Sequence, residues 1–512
     1  MNAENNAEFA GGTALVVEAL KQVIGPDAVI TDPQQLADFL DPYTYQGWDA
    51  TTPIAAVLPA TVEEVQAIVR LANEHGVPLW TVSQGRNNGY GGQSARVDGS
   101  VIVNLSRMNR VLEVNDEQAY AVVEPGVRFL DLRDHLRDGG HKLWPSSPDL
   151  GWGSVIGNTL EYGRGYTPYG DHASTACGME VVLANGDILR TGMGAMADSK
   201  SWHAYPWSYG PTHTGLFMQS NFGIVTKMGV WLMPEPEAYH SCWATFEDGV
   251  PIENLIDVVR GLMLEGTIRN YPMLSRGIST AWPRTPATPD GWWLRFALYG
   301  PEATVDAQYE RVRTALEATG DITVGHEIFH GDEHLDTTVI DDKVQGGISG
   351  LEVLDLWKGL YGDSGGHIDV SPVLPFTGPE VVESIRFMRS LHELHGVDYH
   401  AGLLMLPRSV LHVCMLGFDS TDEDQTRKAF DASRHMVVEL AKAGYPIYRT
   451  HIQHMDLVAD QFDFNDHAQR RFNELLKDAL DPAGILSPGK QGIWPKAGRP
   501  EKPRDGSADA LR

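Results

Sequence analysis

The sequence predicts an α+β fold, with an α/β first half and a second region built on an antiparallel sheet flanked by helices. Two strand-like segments, 54–58 and 78–82, stand on either side of an amphipathic helix, and the segment 179–189 is typical of a hairpin. After about residue 240, strands alternate with long helices, which favours a separate α+β region with an antiparallel sheet.

A capping signal and hydrophobic spacing predict the first helix. Thr61-Val-Glu-Glu64 is a capping box, and apolar residues then recur at helical spacing until Gly76 ends the helix. The strand 78–82 comes next, so the segment is a β-α-β unit. Further strands are predicted at 101–104 and 119–123, and an amphipathic helix near 128–138.

The turn residues predict the hairpin. Val181-Val-Leu and Asp187-Ile-Leu flank Asn185-Gly186, a dipeptide that favours a type I′ turn. A further strand region begins in 220–226 and ends at Met233-Pro234.

Long helices separate the strands of the second region. Strands are predicted at 292–299 and within 402–418, and helices at 301–318, 378–395 and 421–444, the last with Thr421 and Asp424 at its start. A helix from Phe472, a turn-rich segment 481–490 and a loose polar tail from Lys496 complete the chain.

The composition argues against several classes of partner. Forty basic and 68 acidic residues give a formal net charge of -28, whereas nucleic acid or an anionic membrane is bound by clustered Lys and Arg. The three cysteines, Cys177, Cys242 and Cys414, are far apart, so we expect no disulfide framework. No secretory signal and no run of about 18 apolar residues is visible, which predicts a cytoplasmic protein.

The most informative segment is the loop at residues 83–92, Ser-Gln-Gly-Arg-Asn-Asn-Gly-Tyr-Gly-Gly. Its four glycines favour positive φ angles and exposed backbone N–H groups, which can surround a diphosphate. The usual glycine fingerprints, G-x-G-x-x-G and G-x-x-x-x-G-K-[ST], do not fit it. Taken alone, the loop is equally compatible with a glycine-rich surface turn.

Further motifs follow this loop along the chain. They are Pro148-Asp-Leu-Gly-Trp-Gly-Ser-Val-Ile-Gly-Asn158, Gly165-Tyr-Thr-Pro-Tyr-Gly-Asp-His172, the Asn185-Gly186 hairpin, Gly365-Gly-His-Ile-Asp-Val-Ser-Pro372, Tyr448-Arg-Thr-His451 and Ser487-Pro-Gly-Lys490. In this order and spacing the set resembles the vanillyl-alcohol oxidase group of FAD enzymes over roughly residues 40–495. It looks most similar to the 4-alkylphenol branch, which includes eugenol oxidases and 4-cresol dehydrogenases.

The resemblance implies a two-part, PCMH-type FAD-binding domain with an inserted cap domain. We expect the first part of the FAD-binding domain at residues 1–240, the cap at 241–446, a return segment that completes the site at 447–495, and a loose tail at 496–512. The change in composition near residue 240 and the return near 447 fit this layout.

The resemblance also implies which residues surround FAD. The matching positions are Gly85, Arg86, Asn87, Asn88, Gly89, Tyr90, Pro148, Asp149, Leu150, Gly153, Ser154, Gly157, Asn158, Gly223, Ile224, Val225, His367, Arg449 and Lys490.

The implied reaction is oxidation at the carbon para to a phenol hydroxyl, by hydride transfer to FAD and through a quinone methide. Tyr90, Tyr448 and Arg449 match the family's phenolate-holding residues; converging on one oxygen, they would lower its pKa. Asp149 matches a carboxylate beneath the hydride-accepting nitrogen that acts as a base, and Tyr166 matches a further tyrosine of the substrate site. From the residues alone, Asp149 also suits an Asx turn and Tyr166 a core position.

His367 matches the position at which vanillyl-alcohol-type oxidases attach FAD covalently through the flavin methyl group. Neutral imidazole is a nucleophile near neutral pH, which suits this chemistry. Other families of this fold use a histidine in the first glycine loop, and the loop 83–92 contains none. Lys490 matches a basic residue near the flavin that neutralises charge on the cofactor.

Two positions depart from the family pattern. Asp369 stands where relatives carry glycine or an apolar residue; with Ser371 it is expected in the substrate pocket, where it bonds a polar substituent or faces solvent. Ala173-Ser174 are small where relatives are often bulky, which predicts a roomier pocket for a more substituted ring.

The predicted protein is therefore an oxidase that passes electrons to oxygen and releases hydrogen peroxide. Its predicted partners are a small phenol and oxygen, with no metal. The resemblance also implies a homodimer, because family members are commonly dimers and the segment 195–205, where an inserted loop would support further assembly, is short. Three alternatives remain: a dehydrogenase of the same branch with a cytochrome partner, an FAD oxidoreductase of a sugar lactone or 2-hydroxy acid, and a non-catalytic flavin-binding protein.

Overall fold

A computed structural model of the chain describes residues 3–43, 51–247, 249–276 and 291–500. The strands within these residues are β1 (Val29–Ile30), β2 (Ala55–Val57), β3 (Leu79–Val82), β4 (Val101–Asn104), β5 (Val111–Asn115), β6 (Tyr120–Val123), β7 (Leu143–Trp144), β8 (Ala176–Val182), β9 (Ile188–Arg190), β10 (Ile224–Trp231), β11 (Met233–Pro234), β12 (Ala238–Phe246), β13 (Met273–Arg276), β14 (Trp292–Gly300), β15 (Thr323–Phe329), β16 (Gly365–Val370), β17 (Val373–Pro375), β18 (His400–Met405) and β19 (Ser409–Asp419).

The α-helices alternate with these strands. They are α1 (Ala3–Ile24), α2 (Pro33–Leu36), α3 (Val62–His75), α4 (Phe129–Asp138), α5 (Val155–Leu160), α6 (His172–Thr175), α7 (Ile252–Leu264), α8 (Glu302–Glu317), α9 (Ile340–Gln345), α10 (Val353–Tyr361), α11 (Gly378–His395), α12 (Glu423–Lys442), α13 (Met455–Asp460) and α14 (Phe464–Leu480). Within the described part of the chain, none of them combines the length and apolar character needed to cross a bilayer.

The predicted β-α-β unit is confirmed in the first sheet, whose strand order is β1-β2-β4-β3. Strands β2 and β3 both run parallel to β4, which lies between them. Thr61 caps α3 by accepting the Glu64 N–H at 3.2 Å, and Gly76 ends the helix with φ 64°. This arrangement aims the carboxyl end of β3 into the glycine loop 83–92.

The predicted hairpin is confirmed as β8-β9, in a second sheet of order β5-β6-β10-β8-β9. Its predicted type I′ turn is wrong, because only Gly186 of the central pair has a positive φ, 83°. The connection is longer than two residues: Val182 pairs with Ile188, and the Gly186 N–H donates to the Leu183 carbonyl at 2.8 Å.

The predicted antiparallel sheet of the second region is confirmed, with order β15-β12-β14-β13-β18-β19-β16 and β17 beside β19. Apolar side chains of α7, α8 and α11 pack on one part of this sheet and those of α12 on another. Helix α12 begins at Glu423, two residues after its predicted start at Thr421, because Asp422 caps it by accepting the N–H groups of Asp424 and Gln425. The sheet supports the side chains that face the first half of the chain.

The C-terminal residues return to the first sheet. The Leu79 N–H donates to the Ile485 carbonyl, and the Ser487 N–H donates to the Leu79 carbonyl, both at 2.7 Å. Behind this edge, Lys477 and Asp481 form a fully buried ion pair at 2.7 Å. Residues near 487–491 are thereby brought beside the glycine loop. The predicted loose tail lies mostly beyond the described residues, which end at 500.

Candidate active site

A deep cleft runs between the two sheets of the first half and the C-terminal return. It encloses about 1390 Å³ of space not filled by protein atoms, including space open to solvent. Many of the residues that the sequence analysis expected around FAD line this cleft. They are Gly85, Arg86, Asn87, Tyr90, Gly153, Ser154, Gly157, Asn158, Gly223, Ile224, Val225, Arg449 and Lys490. The predicted positions Asn88, Gly89, Pro148, Asp149, Leu150 and His367 are not part of the lining of this cleft.

The glycine loop forms one wall because its turns require glycine. Gly85 has φ 65°, a conformation that L side chains rarely adopt, and Asn87 closes the next turn by accepting the N–H groups of Tyr90 and Gly92. The loop therefore approaches the cleft with backbone atoms and with few side chains in between.

The opposite wall is the beginning of α5. The Ser154 hydroxyl caps this helix by accepting the Gly157 N–H at 2.9 Å, and it donates to the Pro125 carbonyl at 2.6 Å. A Cβ on Gly157 would lie 2.2 Å from the Ser83 hydroxyl, so only glycine allows this approach. Next to it, Asn158 bonds the His172 ring at 2.6 Å, and burial lowers the pKa of that histidine to about 3.

The third wall leaves polar groups for a ligand. The Asn221 side-chain nitrogen donates to the carbonyls of Ser487 and Ile493, both at 2.9 Å. Its oxygen is buried and has no hydrogen-bond partner among the described residues. Lys490 lies here but pairs with Glu161 at 2.7 Å. An elongated cleft with glycine approaches and an unsatisfied acceptor fits a dinucleotide such as FAD.

The predicted phenolate-holding residues lie together, with Tyr90 and Arg449 lining the cleft. We call them the tyrosine–arginine group (Tyr90, Tyr448 and Arg449). The Arg449 guanidinium lies 4.2 Å from the centre of the Tyr90 ring and donates to the Asn87 side chain at 2.7 Å. Burial, and after it the nearby Asp369, raises the pKa of Tyr90 well above its ordinary value. The Tyr90 hydroxyl therefore keeps its proton at neutral pH and serves as a donor. Tyr448 is close enough to interact electrostatically with Tyr90.

A second group, the carboxylate cluster, consists of Asp149, Tyr166, Arg295 and Asp341. One Asp149 oxygen accepts the Tyr166 hydroxyl, and the other accepts Arg295 Nη2 at 3.0 Å. Arg295 also donates to Asp341 at 2.7 Å and lies 4.0 Å from the centre of the Tyr166 ring. The whole arrangement orients a single carboxylate from two sides.

Burial and charge set the ionisation of this cluster. Burial lowers the pKa of Arg295, but Asp149, Tyr166 and Asp341 outweigh it and the net pKa is raised, so the guanidinium remains charged although it is 1% exposed. Burial and the neighbouring Asp149 raise the pKa of Tyr166 well above its ordinary value. Tyr166 is thus a proton donor to Asp149.

An apolar cluster connects the two groups. It contains Tyr166 together with Tyr271, Val344, Leu404, Leu406 and Leu411, and Tyr448 packs against it. Through Tyr166 and Tyr448, the carboxylate cluster and the tyrosine–arginine group both adjoin this one apolar cluster.

His367 and Asp369 lie together on β16, beside the glycine loop. Asp369 Oδ1 accepts a hydrogen bond from His367 Nδ1 at 2.8 Å, and Asp369 is only 7% exposed. The expectation that Asp369 faces solvent is therefore wrong, because histidine holds it in the interior. Burial lowers the pKa of His367, but Asp369 outweighs burial and the net pKa is raised. Ser371, the other predicted pocket residue, is fully buried near Tyr90.

The small pair Ala173 and Ser174 lies elsewhere. Ala173 packs against the core beneath the second sheet, and Ser174 is exposed. Neither residue belongs to the apolar cluster around Tyr166. The predicted widening of the pocket therefore has no support at these positions.

Sequence reasoning missed Arg295, Asp341 and Asn221. Arg295 stands in Trp292-Trp-Leu-Arg-Phe-Ala-Leu298, where a single charge interrupts an apolar strand. A buried charge is costly unless it is paired, so this interruption was the available signal. Its partners could not be identified, because Asp149 lies 146 residues away along the chain.

Known proteins are similar to this chain in sequence and in fold. The sequence-family model of the FAD binding domain matches residues 53–192. The chain is 34% identical to the flavoprotein subunit of 4-cresol dehydrogenase [hydroxylating] from Pseudomonas putida, over 96% of this chain and 99% of that protein.

Two solved structures are similar over nearly the whole chain. One is the isoeugenol complex of 4-ethylphenol oxidase from Gulosibacter chungangensis, with a TM-score of 0.89, 34% identity and coverage of 95% of this chain and 98% of that one. The other is p-cresol methylhydroxylase with substrate bound, with a TM-score of 0.86, 32% identity and coverage of 94% and 97%.

Proposed function

This chain belongs to the 4-alkylphenol branch of the vanillyl-alcohol oxidase family of FAD enzymes, and from that premise we propose that it oxidises para-substituted phenols with FAD. The proposed substrates are 4-hydroxybenzylic alcohols and 4-allyl- or 4-alkylphenols. The observation that carries the proposal is the pairing of the tyrosine–arginine group with the carboxylate cluster across one apolar cluster.

The tyrosine–arginine group binds the phenol oxygen in this proposal. The Tyr90 hydroxyl is protonated and donates, and the permanently charged Arg449 neutralises a phenolate. A phenolate pushes electron density through the ring, which makes hydride loss from the para carbon easier. A sugar lactone or 2-hydroxy acid needs no such group, which is why this alternative has less support.

The carboxylate cluster acts at the opposite end of the substrate. FAD, when bound, accepts the hydride. Asp149 is held by Tyr166 and Arg295 so that its carboxylate faces a fixed direction. From there it takes the proton of the water that attacks the quinone methide, or the proton lost on rearrangement.

His367 is the proposed site of covalent FAD attachment. It lies beside the glycine loop: a Cβ on Gly89 would be 2.7 Å from both Cε1 and Nδ1 of the ring. Asp369 occupies Nδ1, while Nε2 has no hydrogen-bond partner among the described residues. Lys490, paired with Glu161, contributes to the charge balance at the cleft wall.

We propose oxygen as the electron acceptor and hydrogen peroxide as the second product. One similar protein is named an oxidase and another a dehydrogenase, at 34% identity each. The second candidate is therefore a dehydrogenase with a separate cytochrome. A homodimer remains the expected assembly.

The test compares phenols with their O-methyl ethers. We expect flavin reduction under anaerobic conditions by 4-alkylphenols, followed by oxygen uptake and peroxide release when air is admitted. Arg449→Ala should lower kcat/KM by about 10²–10³-fold, because one donor to a developing oxyanion is lost. Arg449→Lys, which keeps the charge, should lose less.

Two outcomes would contradict this proposal. Equal turnover of the O-methyl ethers would exclude phenolate activation. Rapid flavin reduction by phenols combined with very slow reoxidation in air would favour the dehydrogenase with a cytochrome partner.

A further inference from the structure

We propose that Asp369 is a positioning residue that makes His367 the nucleophile for covalent attachment of FAD. The inference rests on the proposed attachment at His367 and adds the group that makes it possible. It replaces the expectation that Asp369 contacts the substrate.

The hydrogen bond between the two side chains determines the reactive nitrogen. A carboxylate oxygen only accepts, so the 2.8 Å contact places the imidazole proton on Nδ1. In the neutral ring, which is the nucleophilic form, the lone pair is then on Nε2, which has no hydrogen-bond partner among the described residues. A histidine without this partner would divide its proton between the two nitrogens.

The surroundings hold the ring in one orientation. Trp357 stacks on it with centroids 5.2 Å apart and an interplanar angle of 16°, and Tyr43 lies against it at 5.8 Å. On the edge, Gly89 leaves room for the ring only because it has no Cβ. These contacts leave the ring little freedom to rotate.

Asp369 also matches the charge that attachment creates. The new bond joins His367 Nε2 to the flavin methyl carbon and replaces one C–H bond of that methyl group. A positive charge develops on the imidazole until its Nδ1 proton leaves, and Asp369 is the carboxylate placed to stabilise this charge and accept the proton.

The electrons and protons of this step balance with oxygen as the oxidant. One proton leaves the methyl carbon and one leaves Nδ1, and two electrons pass through the flavin to dioxygen. Dioxygen takes up the electrons and both protons and is released as hydrogen peroxide. No reductant or further substrate is required.

The same carboxylate has other neighbours, and these decide the choice of measurement. Tyr43, Tyr90, Cys414 and Arg449 all interact with Asp369 electrostatically. A change at Asp369 can therefore alter phenol turnover for reasons unrelated to attachment. The experiment must measure covalent FAD directly.

The experiment follows attachment in the full-length protein, prepared without flavin and incubated with FAD in air. Samples are denatured in acid, and covalent FAD is measured by fluorescence in a denaturing gel and by intact mass. Asp369→Asn should bind FAD but attach it about 10²-fold more slowly than the wild type, as expected for loss of a positioned proton acceptor. Asp369→Ala should also be slow, and sodium formate should accelerate it by supplying a carboxylate.

Two control variants separate the possible causes. Asp419→Asn removes a carboxylate from β19, the strand that pairs with β16, but one that bonds Ser364 and Thr421 instead of His367; it should match the wild type. His367→Ala should bind FAD with no covalent fraction.

The outcomes distinguish the two proposals. If the wild type releases all its FAD on denaturation, attachment at His367 fails and the role of Asp369 fails with it. If the wild type and His367→Ala behave as expected but Asp369→Asn attaches FAD at the wild-type rate, only the role of Asp369 is overturned. An Asp369→Ala variant that formate does not accelerate would overturn it as well, even if Asp369→Asn did not fold.

Discussion

The cofactor cleft and the inner face of the cap are built in opposite ways. The cleft is formed by backbone turns and close approaches, such as Gly85 with φ 65° and Gly157 against Ser83. The inner face of the cap sheet carries buried charged side chains, among them Arg295 and Asp369. The cleft suits binding of a long ligand, and the inner face of the cap suits chemistry at one point.

The largest expected effect concerns the buried charge of the cap. Arg295→Met leaves Asp149 and Asp341 without the guanidinium that both accept from. Removing one partner of a buried ion pair costs about 3–5 kcal/mol, so the free energy of unfolding should fall by that amount in urea denaturation.

The matched control is Arg311→Met. Arg311 forms an exposed pair with Glu265 at the surface of the cap, and such pairs contribute about 0–1 kcal/mol. If Arg295→Met lowers the free energy of unfolding by no more than Arg311→Met does, the carboxylate cluster does not stabilise the fold. The contrast between the two regions is then lost.

The next effect is a pH dependence of stability. Burial, with His392 and Arg389 nearby, lowers the pKa of His412 to about 3, and its ring bonds Ser384 and Tyr399. In the unfolded chain this histidine is protonated below about pH 6.5, whereas in the native state it stays neutral. The free energy of unfolding therefore falls as pH drops from about 6.5 towards 3.

His412→Gln removes this titration. Between pH 7 and pH 5 the variant should lose about 2 kcal/mol less stability than the wild type, measured by urea denaturation at each pH. Parallel curves for the two proteins would mean that His412 takes up its proton in the native state as well.

The smallest effect tests the glycine loop beside the cleft, with the glycine that ends α3 as the control. Gly89→Ala and Gly76→Ala both place a side chain at a positive φ, 77° and 64°, which costs about 1–2 kcal/mol each. Only the Gly89 Cβ would meet another group, the His367 ring, whereas nothing lies within 4 Å of a Cβ on Gly76.

The two variants should therefore differ in flavin attachment. Both variants should be less stable in thermal unfolding, Gly89→Ala at least as much as Gly76→Ala, but only Gly89→Ala should also lower the fraction of covalent FAD. Equal covalent fractions in the two variants would show that the glycine loop does not determine the position of His367.

Local signals predicted most of the elements. The capping residues of α3, the hydrophobic spacing and the strand lengths depend on neighbours within a few positions, and these predictions are confirmed. The errors are local too: the turn at Asn185-Gly186 is longer than its dipeptide suggests, and Asp422 caps α12 in place of Thr421.

The site was only partly predictable. The family resemblance placed Tyr90, Tyr448 and Arg449 in one group, and the structure brings the three together. The sequence did not identify Arg295 and Asp341, because their contacts join three segments that are distant along the chain.

The sequence by itself determined the elements, the glycine turns and the membership of a flavoenzyme family, because these depend on residue types and their spacing along the chain. Only the tertiary structure decided which charges meet. Arg295 joins Asp149 to Asp341, because burial makes an unpaired charge too costly to keep. Arg295 lies in the cap and Asp149 in the first half, so the two are partners only where these regions pack together.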